Sequence, residues 1–461
     1  MGVTVVIPTY NRPDLLKRTL LCLQHQDAGE SAFEVIVCDD GSSDNTKEAA
    51  CSFEQQLDLR YCYQKDMGFR AGTARNMGIR LARYEICLFL DTGVLVGSDF
   101  IRSVIAFHRR HEGTVCIGIV HGMNQKDDHH PIAKYLHPIA LSEHPEACLR
   151  NPMLKAYPDS RQLQFDFYEC DMDRSSAPWS YFWTSMVSAE TGLLREVGGF
   201  DESFHGWGHE DLELGYRLWK AGAHFRADPS VRALHLPHEQ FNPVQMTNRK
   251  NHLHFVRLHQ ELPVELSYVN ENFNYEMLLG QFKVADEYLP LDYENIEQLI
   301  PPSSKGDRRL AAGYVSPQLA ARLSVTDVFA CNQRNAATVR KHLPTVHAAF
   351  KAGFINFCED HYYETAVLTD AWKVIPITLL SLLLNEMLRI AKRVYVLDTE
   401  GLQLDKLPIV GEQLPAGFRT EPIGCKGKTY VYGITRRDIS PPAQSDWDKP
   451  DPLEAGAAAK E

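Results

Sequence analysis

The sequence predicts an α/β protein, with a mostly parallel, open sheet that has helices on both faces and a small C-terminal α/β domain after it. Short apolar runs alternate with segments of helical period through about the first 110 residues, which is the pattern of consecutive βαβ units. A linker rich in Pro and Ser, residues 301–306, then precedes a second series of apolar runs. A chain of 461 residues is long enough for two or three domains.

The first elements follow from this alternation. Residues 3–8 are predicted as a strand, and residues 14–24 as a helix because leucines recur there at helical spacing. A second strand at residues 33–39, a helix at residues 71–83 and a third strand at residues 86–90 complete the pattern. The second and third strands lead directly into aspartates.

The chain is predicted to divide into four regions. Residues 1–262 form the main domain, residues 263–310 a helical extension and linker, residues 311–439 a small α/β domain of unknown role, and residues 440–461 a disordered tail rich in Pro, Asp and Ala. In the small domain, strands at residues 325–331, 393–398 and 429–435 are predicted around a long helical stretch at residues 362–392.

Composition and charge narrow the class of protein. A net charge of −12 gives the chain no basic footprint for nucleic acid or anionic lipid. Eleven cysteines without a CxxC pair predict free thiols in a reducing compartment, so we expect a cytoplasmic protein without a signal peptide. The longest apolar run, residues 374–384, contains Pro376 and is too short for a transmembrane segment. It predicts a buried helix, with contact to a membrane surface as the alternative.

Three polar loops follow the predicted strands. They contain Pro8, Thr9, Tyr10 and Asn11, then residues 39–44, then residues 91–93. Ligands of open α/β sheets bind at the carboxyl ends of the strands, so these loops predict a binding site on one edge of the sheet.

The side chains in and near these loops suit a nucleotide-sugar. Asp39 and Asp40 can accept hydrogen bonds from a base or ribose, although a simple turn that caps a helix would also explain them. The segment that contains Arg70 opens a predicted helix, and Arg75 lies in that helix. Arg75 can bind a base or a phosphate; the alternative is that it is an ordinary arginine on the helix surface. Asp91 at the end of a strand is suited to Mg²⁺ or Mn²⁺ beside a diphosphate.

The segment from Gly206 to Asp211 is the most informative. Acids in a first helical turn often only complement the helix dipole, but two glycines around Trp207 have no helix-capping purpose. An aromatic floor for a sugar ring beside a general base explains them. His235 or His238 could complete a metal site, although a lone histidine is more often structural. The segment of residues 127–130, Asp-Asp-His-His, is interpreted as a solvated loop.

Five segments in order resemble the family 2 glycosyltransferases of GT-A fold, in particular bacterial chondroitin-type polymerase modules and more distantly the β-1,4-galactosyltransferases. The segments are VVIPTYNRPDLL, VIVCDDGSSDNT, KDMGFRAGTARNMGIRLA, LFLDTGVL and GGFDESFHGWGHEDLELGYRLWKAG.

The resemblance implies a role for each matching residue. The nucleotide pocket would contain Pro8, Thr9, Tyr10, Asn11, Asp39, Asp40, Asp66, Arg70, Arg75, Asp91 and Thr92. Gly206, Trp207 and Glu210 would bind the sugar or acceptor, and Asp211 would be the catalytic base. Asp91 would be the first acid of a DXD motif and would hold Mn²⁺ or Mg²⁺ with His235, which is preferred over His238. The third DXD position, however, is Gly93.

The expected activity is inverting transfer of a hexosyl or N-acetylhexosaminyl group, with UDP as the expected nucleotide, to a hydroxyl of a glycan, peptide or small molecule. The alternative is a non-catalytic nucleotide-sugar or glycan-binding module with a degenerate DXD motif. Docking of a partner, or of a second copy of the chain, through the C-terminal domain stays open.

Overall fold

The computed structural model describes residues 1–29, 32–122, 144–150, 152–236, 244–269, 274–285, 287, 293–399 and 418–436. Residues 127–130, His238 and the predicted tail at residues 440–461 lie outside this part of the chain. The chain forms two compact units, Met1–His259 and Gln260–Glu461.

The first unit is built on a mixed sheet, which has eight strands in the described residues, in the order β3-β2-β1-β4-β7-β6-β8-β5. The strands are β1 Val3–Thr9, β2 Phe33–Asp39, β3 Leu59–Tyr63, β4 Ile86–Leu90, β5 Val94–Val96, β6 Thr114–His121, β7 Met186–Glu190 and β8 His224–His235. Strands β3, β2, β1 and β4 are parallel, whereas β7 is antiparallel to both β4 and β6. The predicted α/β class is confirmed.

Helices cover this sheet. They are α1 Pro13–Gln24, α2 Thr46–Cys51, α3 Ala71–Leu81, α4 Phe100–Arg110, α5 Gln162–Phe167, α6 Thr191–Glu196, α7 Glu210–Lys220 and α8 Val244–His259. Strand β4 is buried along its whole length because it lies inside the sheet and is covered on both faces, which explains its continuous apolar run. Leu16, Leu20 and Leu23 of α1 pack into the same core as β1 and β2.

A buried ion pair stabilises the first unit. Arg161 and Asp159 are fully enclosed, and Arg161 Nη2 lies 2.8 Å from Asp159 Oδ2. The same guanidinium donates to the carbonyl oxygens of Tyr181 and Gly118, at 2.9 and 3.1 Å. Burial raises the pKa of Asp159, but the charge of Arg161 and its hydrogen bonds outweigh burial and keep it below its ordinary value.

Replacing Arg161 with methionine is expected to lower the free energy of unfolding by about 3 kcal/mol, because Asp159 would remain as a buried charge without its partner. Chemical denaturation measures this loss. The matched control is Arg102→Met, which breaks an exposed pair with Asp27 and should cost under about 1 kcal/mol. Equal losses in the two variants would contradict the prediction.

The second unit contains a sheet whose described strands are ordered β11-β10-β9-β12-β13-β15-β14. The strands are β9 Arg309–Gly313, β10 Asp327–Ala330, β11 His347–Phe350, β12 Tyr363–Leu368, β13 Ala391–Thr399, β14 Phe418–Lys426 and β15 Thr429–Arg436. The first five in this order are parallel, and β14 and β15 add an antiparallel hairpin. The helices are α9 Leu262–Val269, α10 Asn274–Ala285, α11 Pro317–Arg322, α12 Gln333–His342 and α13 Ile377–Ile390.

The long helix predicted at residues 362–392 is wrong in its first part. Tyr363–Leu368 forms strand β12, which pairs with β9 and β13, and a short 3₁₀ turn at Asp370–Val374 precedes α13. Six residues are too few to distinguish a strand from a helix by periodicity, and pairing on both sides decides in favour of the strand.

The apolar run at residues 374–384 lies mostly in α13, where Leu380, Leu383 and Leu384 are buried. No helix in the described residues is long and apolar enough to cross a membrane. All eleven cysteines lie in the described residues, and none of them forms a disulfide there.

Candidate active site

The loop after β2 is tightly organised by Asp39. Its buried carboxylate accepts hydrogen bonds from the amides of Gly41 and Ser42, at 3.0 and 2.7 Å, and from the Tyr61 hydroxyl at 2.7 Å. Gly41 has a φ of +101°, and a Cβ there would lie 2.4 Å from the Cα of Asp66. Asp39 therefore shapes the loop, and the glycine allows Asp66 to approach it.

Asp40 lies beside this loop with its carboxylate between two donors. The Arg70 amide donates to it at 2.6 Å, and the Gln64 side chain donates to its other oxygen. Burial raises the pKa of Asp40. Its own amide donates to the carbonyl oxygen of Thr9 at 2.9 Å, which joins the loops after β1 and β2.

The other residues predicted for the nucleotide pocket are joined to the same loops. The Tyr10 hydroxyl donates to Asp66 at 3.1 Å, and the side chain of Asn11 accepts from the amide of Ser43 at 2.9 Å. Thr92 donates from its hydroxyl to the carbonyl oxygen of Pro8 at 2.8 Å. The structure thus brings the three predicted loops together at one edge of the sheet.

Arg75 connects this edge to the segment that follows Gly206. One guanidinium nitrogen lies 2.9 Å from Asp91 Oδ1 and another 3.3 Å from Glu210 Oε1. The Arg75 side chain is only 5% exposed and lies against the ring of Phe200. Burial lowers the pKa of Arg75, but the charges of Asp91 and Glu210 raise it by more than burial lowers it. The net shift of the pKa is therefore upward.

Asp211 is the first-turn acid next to Glu210 in α7. Burial raises its pKa, and the neighbouring charge of Glu210 adds to the effect, whereas Arg75 opposes both; the resulting pKa is about 7. A carboxylate with this pKa is suited to accept a proton near neutral pH. The amide of Leu212 donates to Asp211 Oδ1 at 2.8 Å.

The loop around Trp207 packs on helix α8. Gly206 and Gly208 both have positive φ, and Asn251 donates from its amide group to the carbonyl oxygen of Gly208 at 3.0 Å. A Cβ on Gly206 would lie 2.6 Å from Thr247 Cγ2. The two glycines therefore allow the loop to approach α8 closely; Trp207 between them is 46% exposed and precedes Glu210 in the chain.

Replacing Gly206 with alanine is expected to lower the free energy of unfolding by about 2–5 kcal/mol, since positive φ costs about 1–2 kcal/mol and overpacking adds about 1–3. Thermal and chemical unfolding measure this loss. Gly222→Ala is the matched control: its φ is +92°, but no atom lies within 4 Å of the new Cβ. An equal loss in both variants would contradict a role for the contact with Thr247.

His235 is the last residue of β8 and pairs with Val94 of β5. The amide of Leu236 donates to the carbonyl oxygen of Gly93 at 3.0 Å, so the end of β8 lies against the loop that follows Asp91. The alternative ligand, His238, lies outside the described residues.

Two known protein families match parts of this chain. The sequence model of Glycosyl transferase family 2 matches residues 4–160, and that of the N-terminal domain of galactosyltransferase matches residues 168–239. The chain carries a family 2 glycosyltransferase domain. The first matched range contains the strand-end loops, Arg75 and Asp91. The second contains the segment from Gly206 to Asp211.

Curated relatives match the same part of the chain. Validoxylamine A glucosyltransferase from Streptomyces hygroscopicus subsp. limoneus is 38% identical over 273 residues, 59% of this chain and 59% of that protein. Hyaluronan synthase from Pasteurella multocida is 34% identical over 242 residues, which are 51% of this chain and 24% of the synthase. Chondroitin synthase from Escherichia coli is 32% identical, and the alignment covers 51% of this chain and 34% of that synthase. The chain spans less than two thirds of the length of these relatives.

Two solved structures also align with part of the chain. The crystal structure of S. aureus TarS aligns with a TM-score of 0.40 and 16% identity, covering 65% of this chain and 46% of that one. Mannosyltransferase PcManGT from Pyrobaculum calidifontis, in complex with GDP-Man and Mn²⁺, aligns with a TM-score of 0.37 and 18% identity, covering 55% and 61%.

The glycosyltransferase domain has the GT-A fold that the sequence resemblance implies. Several residues that support its site were not predicted from the sequence. Gln64 binds Asp40, and Phe200 packs on Arg75. Asn76 donates to the carbonyl oxygen of Phe200 at 2.9 Å and accepts from its amide at 2.8 Å. Asn76 lies in a quoted motif one residue after Arg75, which is a signal that could have identified it; Gln64 carries no such signal.

The second unit has a doubly wound sheet whose order reverses between β9 and β12, where such folds usually bind ligands. At the end of β12, beside that point, the unit's own side chains bond to one another. The Thr369 hydroxyl accepts from the amide of Tyr314 at 2.9 Å, and the buried Asp370 pairs with Lys373 at 2.6 Å and accepts from the Thr399 hydroxyl at 2.7 Å.

Proposed function

We propose that this protein is an inverting glycosyltransferase that moves a hexosyl or N-acetylhexosaminyl group from UDP to a hydroxyl of a glycan, peptide or small molecule. The family match supports glycosyl transfer, and relatives are named as a glucosyltransferase and as chondroitin and hyaluronan synthases. The proposal assigns catalysis to residues 1–262 and leaves the small domain at residues 311–439 without a catalytic role. Cysteines that form no disulfide in the described structure are compatible with a reducing compartment such as the cytoplasm.

One observation carries the proposal: Arg75 bridges Asp91 and Glu210, with Asp211 next in the chain. Asp91 follows the strand whose end faces the predicted donor site, and Glu210 and Asp211 open the helix beside Trp207. A single buried guanidinium therefore joins the donor side to the acceptor side. Such an arrangement positions a general base near the sugar–diphosphate bond, which is what inverting transfer needs.

Buried polar atoms without a hydrogen-bond partner in the described structure support a bound nucleotide. They include Thr9 Oγ1, Arg70 Nε and Arg75 Nε, all in the predicted nucleotide pocket. Buried donors and acceptors are seldom left unpaired, so a ligand is the natural partner for these three.

The residues fit a divalent ion at Asp91. Three carboxylates, Asp91, Glu210 and Asp211, surround one guanidinium, and an anionic diphosphate would be repelled there without a further cation. The Asp91 side chain is 31% exposed, and Arg75 binds only one of its oxygens. Asp91 and His235 would hold Mn²⁺ or Mg²⁺, with His238 as the alternative ligand. Such an ion would neutralise the charge that develops on the departing diphosphate.

The chain's own residues then perform the transfer. Glu210 orients the acceptor hydroxyl, and Asp211 takes its proton as the oxygen attacks the anomeric carbon from the face opposite the diphosphate. The bond from that carbon to the diphosphate oxygen breaks, its electrons leave with UDP, and the configuration inverts. Trp207 packs against the sugar or acceptor ring.

The activity should depend on the protonation of Asp211. A general base works only when deprotonated, so kcat/KM is expected to rise about tenfold per pH unit below a pKa of about 7 and to level off above it. Initial rates between pH 5 and 9 at subsaturating substrate measure this profile. A plateau that extends down to pH 5 would contradict the assignment of Asp211 as the base.

The experiment that tests the function is a transfer and hydrolysis screen of UDP-sugars with and without Mn²⁺ or Mg²⁺. UDP-glucose with validoxylamine A is the first pair, because the glucosyltransferase named for that acceptor is 38% identical. Gly93 in place of the second DXD acid favours the alternative, a binding module without catalysis. UDP-sugar binding in calorimetry with no turnover over a broad acceptor panel would favour that alternative.

A further inference from the structure

A second group of metal-ligating side chains converges away from the proposed active site. His25 follows the last residue of α1, and His144 and Glu146 lie at the start of a 3₁₀ turn, Pro145–Arg150. The three side chains offer ligand atoms that all lie within 4.8 Å of one another. None of the three belongs to the nucleotide, acceptor or catalytic residues named above.

Glu146 is the centre of this group. Its oxygens lie 3.4 Å from His25 Nδ1 and 3.1 Å from His144 Nδ1, and the two imidazole rings are 4.9 Å apart. The residue is only 8% exposed, so its carboxylate depends on close partners for stabilisation. Burial raises the pKa of Glu146, but its own amide and the two imidazoles outweigh burial and keep it below its ordinary value.

The two chain segments that carry the group are fixed by packing. Cys22 and Leu23 of α1, and Cys148 of the 3₁₀ turn, are all fully buried in the core of the first unit. Gln26, next to His25, donates to the carbonyl oxygen of Gly97 at 2.7 Å and accepts from the amide of Ile101 at 3.0 Å. Ligands positioned by packed neighbours lose little entropy when an ion binds.

The ligand set indicates which ion fits. Two imidazoles and one carboxylate suit Zn²⁺ and similar borderline transition ions far better than Mg²⁺ or Ca²⁺, which prefer oxygen ligands. Because none of these ligands is a cysteine, the spacing of cysteines in the sequence could not predict the site.

We propose that His25, His144 and Glu146 form a binding site for Zn²⁺ or a similar transition-metal ion, separate from the metal predicted at Asp91. The ion would displace the imidazole–carboxylate hydrogen bonds and complete its tetrahedral coordination with water. It would cross-link the C-terminal end of α1 to the turn at Pro145–Arg150 and so stabilise the first unit.

Titration of the metal-free full-length chain with Zn²⁺, followed by calorimetry and thermal unfolding, tests the site. We expect one tight site and a rise of several degrees in Tm; His25→Gln and Glu146→Gln should each weaken that site at least tenfold and abolish the rise. Co²⁺ should give a visible absorption band from bound imidazole that both variants lose. His342→Gln, at an exposed histidine of the second unit, is the matched control and should behave like the unaltered chain.

Two further variants keep the test decisive. His144 is 70% exposed in its side chain, so His144→Gln should fold even if Glu146→Gln does not. Asp91→Asn should leave the Co²⁺ band unchanged, which separates this site from the one in the proposed active site. Zn²⁺ affinity and Tm shifts that are the same in the unaltered chain and in His25→Gln and His144→Gln would overturn the proposal.

Discussion

Replacing Asp211 with asparagine is expected to lower kcat for sugar transfer by about 10²–10⁴-fold, the range that a positioned general base contributes, while the affinity for UDP changes less than about threefold. Asparagine has the same shape and can still accept the hydrogen bond that the Leu212 amide donates to Oδ1. It cannot, however, take a proton from the acceptor hydroxyl. Single-turnover transfer and calorimetry with UDP measure the two quantities separately.

The matched control for this variant is Asp228→Asn, a partly buried aspartate of β8 that pairs with Arg110 and lies outside the proposed site. Its kcat should stay within a factor of two of the unaltered chain. The Asp211→Asn variant should also lose the rise of activity near pH 7. Unchanged transfer in Asp211→Asn would remove Asp211 from the mechanism, and equal losses of transfer and UDP binding would assign it a role in binding instead.

The part of the fold that sequence could predict is the part determined by local pattern. Strand β2 is found at the predicted residues 33–39 and strand β4 at the predicted 86–90, because each is a short, mostly apolar run that leads into an acid. Helix α1 begins at Pro13, one residue before its predicted start. Once these strands are parallel neighbours of β1, their polar ends must lie at one edge of the sheet, and the nucleotide loops follow.

Contacts between distant segments could not be predicted in the same way. The contact between Gly206 and Thr247 depends on how α8 packs, and no local pattern in α8 indicates it. Strand β12 was mistaken for helix because its six residues acquire their identity from pairing with β9 and β13. The motifs suggested separate roles for Arg75, Asp91 and Glu210, but the bridge between them is a property of the folded chain.

Replacing Arg75 with methionine is expected to lower the free energy of unfolding by about 3–5 kcal/mol, the usual cost of leaving a buried ion pair without one partner. The loss arises because Asp91, Glu210 and Asp211 would keep their mutual repulsion without the one guanidinium that offsets it. Arg75→Lys is the conservative comparison: it keeps the charge, but one ammonium cannot reproduce both contacts of the guanidinium. It should therefore recover only part of the stability. Chemical denaturation at pH 8 measures both variants.

Replacing Arg75 with methionine should also change the pH dependence of transfer. The charge of Arg75 lowers the pKa of Asp211, whereas burial and Glu210 raise it. Without that charge the pKa of Asp211 moves upward, so the rise of kcat/KM with pH should shift to higher pH in whatever activity remains. Combining Arg75→Met with Glu210→Gln removes one repelling carboxylate and should restore part of the stability but not the transfer rate. A merely structural arginine would lower stability without moving the pH profile. An unshifted profile in a folded Arg75→Met variant would therefore show that Arg75 does not act on Asp211. A shift to higher pH would show that one buried cation both stabilises the site and lowers the pKa of its base.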